Sequence, residues 1–586
     1  MLPPLTRLRT FLGDWILPPK VFERVIQFRI QQVQKNTHTD TWRYWKGTPL
    51  PALSANIPLF LEAGVAARTL TLGRESRCAA TLAPAQEIKL TISVSQETPF
   101  RFGFGHSGKA RMGEAAEVTV NDEPAARLEC ILPHAWHDVR VVLKPGRNLV
   151  IVRNRLKGPL HVSHPVKEER FPANGVERPR NIVFILLDSL VKDCIGLYGT
   201  GTSSSPCIDR YFSKGLIFEN AFSQSEWTYP SLYSMFSGKY PMGHDSNDPN
   251  GPGGGFPEQG CRSLAEEMRT LGFVTFGYSS HKVFGPAYNA HLGFDRFFLS
   301  PHWASGPSHQ QISRQAVIQL EDNREGRNFL FLHYLEAHEP WLTRTEMSDI
   351  GLSNFRVTDP EKEYESLKKG EGETKGEPLF DAKDMETLTR RRQARIREVD
   401  LSLGELFTYL ETTGQSQDTA VVLLSDHGYN YLRQDQPLLC DSRVHVPLLM
   451  TGPGVPAGRY EGLVANNVDL MPTLLHFAGG QMPEPRDGAV VAPLGGPERE
   501  FVLSESLYGK TYQIALRDAD TVYHFRCGFD NKRTRILRGE DVRKKLFARA
   551  DEKSCRDISE EQPPKLARMN QLLDAHLAKF THRIVK

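Results

Sequence analysis

The chain has 586 residues, 39% hydrophobic and 24% charged, an ordinary globular composition with room for two or three domains. Its 72 lysines and arginines against 70 aspartates and glutamates leave a net charge of +2, which excludes a polyanion binder held by bulk charge and with it a nucleic-acid partner. Eight cysteines without a Cys-x-x-Cys pair suit reduced thiols, and no run approaches the roughly 18 apolar residues of a membrane span. Because the N-terminus also lacks a continuous apolar stretch, these features predict a cytoplasmic protein.

In chain order, Val21, Phe22, Val25, Ile26, Ile30 and Val33 recur at helical spacing. They predict an amphipathic helix over 18–36, within an N-terminal segment 1–40. Its apolar face packs on its own protein or makes a peripheral membrane contact. From 41 to 166 the pattern shifts to short alternating runs such as Ile88-Lys89-Leu90-Thr91-Ile92-Ser93-Val94, broken at Asn121-Asp122 and Pro145-Gly146, which predicts a β-sandwich accessory domain. The stretch from Ala135 to Asn148 resembles the late strands of jelly-roll domains, with Trp136 a core residue rather than a sugar platform.

A polar linker, Lys167 to Arg180, leads into a catalytic domain over 178–586. Strand-like runs there alternate with helix-like ones (Ser263–Leu271, Ser313–Asp322, Arg390–Leu410), the pattern of an α/β fold with a mainly parallel sheet between helices. A Glu-, Lys- and Gly-rich excursion interrupts it from about Ser348 to Lys383.

Open α/β sheets place their chemistry at the carboxyl ends of the strands. Asn181 to Leu187 reads as a buried strand ending in Asp188, and Ala420 to Leu424 as another followed by Asp426-His427. Thr228 follows a further apolar run. Two carboxylates, an imidazole and a hydroxyl make a four-ligand set that suits one divalent cation, zinc first, then manganese or calcium.

Several segments, in order, resemble the alkaline phosphatase/sulfatase superfamily from 180 to about 520. They are Leu187-Asp188-Ser189-Leu190, Trp227-Thr228-Tyr229-Pro230-Ser231, Leu332-His333-Tyr334-Leu335-Glu336-Ala337-His338-Glu339-Pro340, and Ser425-Asp426-His427-Gly428. The resemblance implies metal ligation by Asp188, Thr228, Asp426 and His427. It also implies catalysis by Thr228 with His338, and substrate contacts from His333 and Glu336. His244 and His445 are further candidates, for substrate or for a second metal.

Where sulfatases of the superfamily carry a Cys or Ser oxidised to formylglycine, followed by x-Pro-x-Arg, this chain has Thr228 and Leu232. Gln436 stands where a lysine is expected. A threonine in that position is similar to phosphoethanolamine and phosphoglycerol transferases. The resemblance therefore implies phosphoryl transfer to or from a glycan- or lipid-linked phosphoester. The alternatives are a sulfatase-type hydrolase without formylglycine and a glycan-binding pseudoenzyme.

Overall fold

The structure, a computed structural model, describes residues 54–585 apart from breaks, the longest at 245–261, 300–307, 339–381 and 430–437. The helix expected over 18–36, the polar excursion as far as 381, and Gln436 lie outside the described residues.

The alternation in the N-terminal part produces strands Ala67–Leu72 (β1), Glu75–Leu82 (β2), Glu87–Val94 (β3) and Thr98–Gly105 (β4). They are followed by Ala115–Val120 (β5), Glu123–Glu129 (β6), Trp136–Leu143 (β7), Gly146–Asn154 (β8) and Leu160–Ser163 (β9). β3, β8, β5 and β6 form one antiparallel sheet, while β4 pairs with β7 and β9, and β9 with β2. Every second side chain of β3, Ile88, Leu90, Ile92 and Val94, is buried in one apolar core with Phe100, Phe102 and Phe104 of β4.

The downstream strands are Asn181–Leu187 (β10), Leu216–Phe222 (β11), Phe273–Ser279 (β12), Arg296–Leu299 (β13), Arg327–Tyr334 (β14), Thr419–Leu424 (β15), Leu448–Thr451 (β16) and Gly458–Ala465 (β17). They lie in the order β13-β12-β14-β10-β15-β16-β11-β17. All these pairings are parallel except those of β16, which the chain enters from the end where β15 stops. β10, β12 and β15 are buried throughout, as strands covered on both faces must be.

Helices Pro206–Phe212 (α1), Ser308–Asp322 (α4) and Ala382–Thr412 (α5) pack on the face carrying Val183, Ile185 and Leu187. Thr228–Ser237 (α2) brings Phe236 against Phe184, whose side chain alternates to the other face, at a ring separation of 6.1 Å. Leu264–Thr270 (α3) and Asn466–Ala478 (α6) contact α2 there.

β2 pairs antiparallel with β13 through Ser76 and Phe297. Some of the N-terminal strands therefore continue the sheet that carries β10 and β15. Charges mark the seam: Glu75 Oε1 lies 2.6 Å from Arg77 Nε and 2.9 Å from Arg296 Nε, and Arg77 also pairs with Asp138. Trp136 donates its indole N–H to the Glu75 carbonyl at 3.2 Å and carries the Arg77 guanidinium over its ring. Trp136, expected in the core, is half-buried at this seam.

A third, antiparallel sheet of Val502–Ser506, Thr511–Arg517, Thr521–Phe529 and Arg543–Ala548, with helix Pro563–Ala578, shares an apolar core with Phe222 of β11, Leu463 and Ala465 of β17 and Val468 of α6. Among the described residues, no helix is long and apolar enough to cross a membrane.

His291, between β12 and β13, is buried with Nε2 2.5 Å from Thr69 Oγ1 of β1. Burial pushes its pKa down from 6.5 to about 3. Between those values the unfolded chain takes up a proton that the folded one refuses. This part of the stability is present above pH 6.5 and is lost as pH falls toward 3. His291→Gln should therefore flatten the fall of the unfolding midpoint across that interval, read from melts of the two proteins at matched pH.

Candidate functional site

β10 and β15 lie side by side in parallel register, so their carboxyl ends deliver Asp188 and the Ser425-Asp426-His427 turn to one place. Asp188, Asp426 and His427 offer ligand atoms that all lie within 4.8 Å of one another, and all three side chains are buried. Thr228, first residue of α2, brings Oγ1 to 3.2 Å from His427 Nε2 and 3.5 Å from both Asp188 oxygens. The four predicted ligands are therefore gathered at one point.

The surrounding hydrogen bonds fix their orientation. His427 Nδ1 lies 2.7 Å from the Gly428 carbonyl, which can only accept, so Nδ1 carries the proton and Nε2 turns toward the cluster. Ser189 donates its N–H to Asp426 Oδ1 at 3.0 Å and its hydroxyl to Asp188 Oδ1 at 2.9 Å. It does so from the left-handed region, φ 58°, a conformation that costs a non-glycine residue on the order of 1 kcal/mol. Ser223 and Asn467 hold the Asp426 carbonyl, and Asn466 holds that of Ser425.

Two carboxylates cannot ionise freely when buried so close. Burial raises the Asp188 pKa, but the hydrogen bond from His333 and the fields of His338, His333 and His281 outweigh it and hold this carboxyl well below its usual range. Asp426 is pushed up, first by burial and then by the charge of Asp188. Its Oδ2 is buried without a hydrogen-bond partner, although it lies 3.4 Å from His427 Nε2. An orphaned carboxylate oxygen facing an imidazole lone pair and a second carboxylate fits a divalent cation.

No side chain caps the N-terminus of α2, where Trp227 holds extended backbone. Thr228 thus sits at the partly positive end of a ten-residue helix, which attracts an anionic ester. The flanking hydroxyls are engaged elsewhere: Ser225 Oγ donates to Glu226 Oε2 at 3.1 Å and Ser231 Oγ to the Ser225 carbonyl at 3.3 Å.

The remaining predicted residues divide. His338 is half-buried in the turn after β14, with its ring 6.0 Å from that of His281. His333 turns both ring nitrogens onto protein, Nε2 to Asp188 Oδ2 at 2.9 Å and Nδ1 to Ser279 Oγ at 3.1 Å, which corrects its expected contact with substrate. Glu336 accepts from the His309 N–H at 3.0 Å. His244 lies within the protein against Ser234 Oγ at 3.0 Å, and His445 stacks on Phe222 with Nε2 on the Glu219 carbonyl at 2.7 Å. None of these last three joins the cluster, so their expected substrate or second-metal roles find no support in the geometry.

Sequence reasoning missed His281 and Ser189. His281 follows the buried run Phe273–Ser279 by two residues, at the carboxyl end of a parallel strand, and that signal could have found it. Nothing in the sequence announces the left-handed backbone of Ser189.

A family model described as Sulfatase matches residues 180–480, just over half the chain. The chain belongs to the sulfatase family. It is 25% identical over 365 residues to the N-acetylgalactosamine-6-sulfatase of Canis lupus familiaris, covering 55% of this chain and 68% of that one. It is 24% identical over 439 residues to the N-acetylglucosamine-6-O-sulfatase of Bacteroides thetaiotaomicron, covering 61% and 77%. A solved structure in complex with D-glucosamine-2-N,6-O-disulfate shares the fold, with TM-score 0.53 and 18% identity, over 69% of this chain and 98% of that one. The curated relatives are named as sulfatases, which overturns the expectation of phosphoryl transfer on a phosphoester drawn from Thr228 and favours the sulfuric ester alternative.

Thr228→Ala should leave cation binding largely intact and remove turnover, because two carboxylates and an imidazole remain. Asp426→Asn should lower cation occupancy as well. Elemental analysis of the purified variants beside their turnover numbers checks both.

Proposed function

We propose that this chain is a divalent-metal-dependent sulfuric ester hydrolase acting on a sulfated glycan, with the Thr228 hydroxyl attacking sulfur in place of a formylglycine. The observation that carries it is Thr228 Oγ1 at the head of α2, 3.2 Å from His427 Nε2 and 3.5 Å from Asp188. The amino-sugar sulfates in the names of its relatives support the substrate class.

Asp188, Asp426, His427 and Thr228 would hold the cation. An imidazole nitrogen beside two carboxylates favours zinc, then manganese, over calcium, which prefers oxygen donors throughout. When bound, the cation would let the Thr228 hydroxyl lose its proton to water and would draw charge from a sulfuryl oxygen.

Thr228 Oγ1 then bonds to sulfur as the bond from sulfur to the sugar oxygen breaks. The uncapped end of α2 faces the anionic sulfuryl group. His338 gives its proton to the departing sugar oxygen and afterwards takes one from the water that attacks sulfur, releasing hydrogen sulfate and restoring Thr228.

Leu232 is fully buried in α2, so the position that carries arginine in formylglycine sulfatases is part of the core here. The cationic contacts to the sulfate must come from elsewhere, and His338 and His281, whose fields help hold the Asp188 pKa down, are the candidates.

p-Nitrophenyl sulfate and 6-O-sulfated N-acetylhexosamine should be cleaved faster than p-nitrophenyl phosphate or bis-p-nitrophenyl phosphate. Faster cleavage of the phosphodiester overturns the proposal, and a metal-loaded protein without turnover on any ester indicates a binding protein. His338→Asn should lower kcat on the sugar sulfate by about 10²- to 10⁴-fold. The loss should be smaller on p-nitrophenyl sulfate, whose leaving group needs no proton.

A further inference from the structure

We infer that His333 is a positioning residue for the cation site, fixing the rotation of Asp188 from behind rather than meeting the substrate. Its side chain is fully buried on β14, one parallel strand away from β10. A carboxylate that binds a cation can only accept, so His333 Nε2–H donates to Asp188 Oδ2 at 2.9 Å. The Ser189 hydroxyl donates to the other oxygen at 2.9 Å. Each oxygen of Asp188 thus receives one directed hydrogen bond from protein, and both stay 3.5 Å from Thr228 Oγ1.

His333 is in turn fixed by a third element. Its Nδ1 meets Ser279 Oγ at 3.1 Å, at the carboxyl end of β12. The same hydroxyl donates to the His281 carbonyl at 3.0 Å and accepts from the His281 N–H at 3.2 Å. A continuous hydrogen-bonded row therefore runs from Asp188 through His333 and Ser279 to the backbone of the loop that carries His281. The row couples the angle of a metal ligand to the seat of a loop at the mouth of the site. With both nitrogens taken by protein, the His333 ring has no polar atom left to recognise an ester.

This inference rests on Asp188, Asp426 and His427 being cation ligands and is independent of which ester is cleaved. The measurement is zinc affinity of the full chain, by competition with a chromogenic chelator. His333→Leu should weaken zinc binding by about 10- to 100-fold, the usual cost of losing a partner behind a metal ligand. His333→Gln, whose amide nitrogen can reach the position of Nε2, should restore most of that affinity. Ser279→Ala, which leaves the ring in place, should weaken it several-fold and carries the test where His333→Leu does not fold. At saturating zinc the KM of each folded variant should stay near wild type. Wild-type zinc affinity in Ser279→Ala and His333→Gln together with a raised KM would make His333 a substrate contact and overturn the inference. A wild-type chain that binds no divalent cation would instead fail the underlying reading of the site, and this inference with it.

Discussion

The site depends on one electrostatic constraint: Asp188 and Asp426 are both fully buried and lie close together. Each charge loses its hydration, and each repels the other. The protein meets the problem asymmetrically. Asp188 is surrounded by His333, His338 and His281 and stays ionised, while Asp426 receives one N–H and keeps an unpaired oxygen. That imbalance concentrates the unmet demand for positive charge at the spot where Thr228 and His427 converge. The strained backbone of Ser189 is part of the same arrangement, because in that conformation a single residue donates to both carboxylates.

Family membership and the local chemistry bear on different questions, and they meet at Thr228. The fold supplies a buried cation cradle and a helix N-terminus, features that stabilise any tetrahedral oxyanion ester. The names of the sulfatase relatives favour a sulfuric ester, where the threonine side chain by itself suggested phosphorus. A threonine has no carbonyl hydrate through which to expel sulfate, so under the proposed function release requires water at sulfur, and the half-buried His338 is placed where solvent can reach it.

Much of this was legible in the sequence because burial and charge alternate sharply there. Asn181–Leu187 and Thr419–Leu424 are uninterrupted apolar runs, and a strand buried on both faces can end only where something must be polar. Asp188 and Asp426 were therefore readable as chemistry. His244, Glu336 and His445 were not, because a histidine or glutamate in a loop carries no mark of which way it points; in the fold they meet Ser234, His309 and the Glu219 carbonyl. His333 was legible as part of the site, while its partners Asp188 and Ser279 were not, for the same reason. The continuity of β2 with β13 was also hidden, since two antiparallel edge strands separated by more than 200 residues leave no local signal of their pairing.

That continuity gives the N-terminal strands a physical purpose. β13 lies beside β12, the strand whose end carries Ser279 and, two residues on, His281. Without β2, β13 would be an open edge with unpaired backbone groups, and Phe297, fully buried in the structure, would lose part of its cover. The ion pairs of Glu75 with Arg77 and Arg296 sit at this join and are largely dehydrated, so they hold geometry more than they add stability. His164 reinforces the join from β9's end, reaching Asp295 at 3.1 Å, and Asp295 in turn accepts from the Thr275 backbone of β12 at 2.9 Å. The same strand β12 ends at Ser279, whose hydroxyl lies two hydrogen bonds from Asp188. The pairing of β2 with β13 thus joins the N-terminal strands to the sheet whose carboxyl ends carry Asp188 and Asp426.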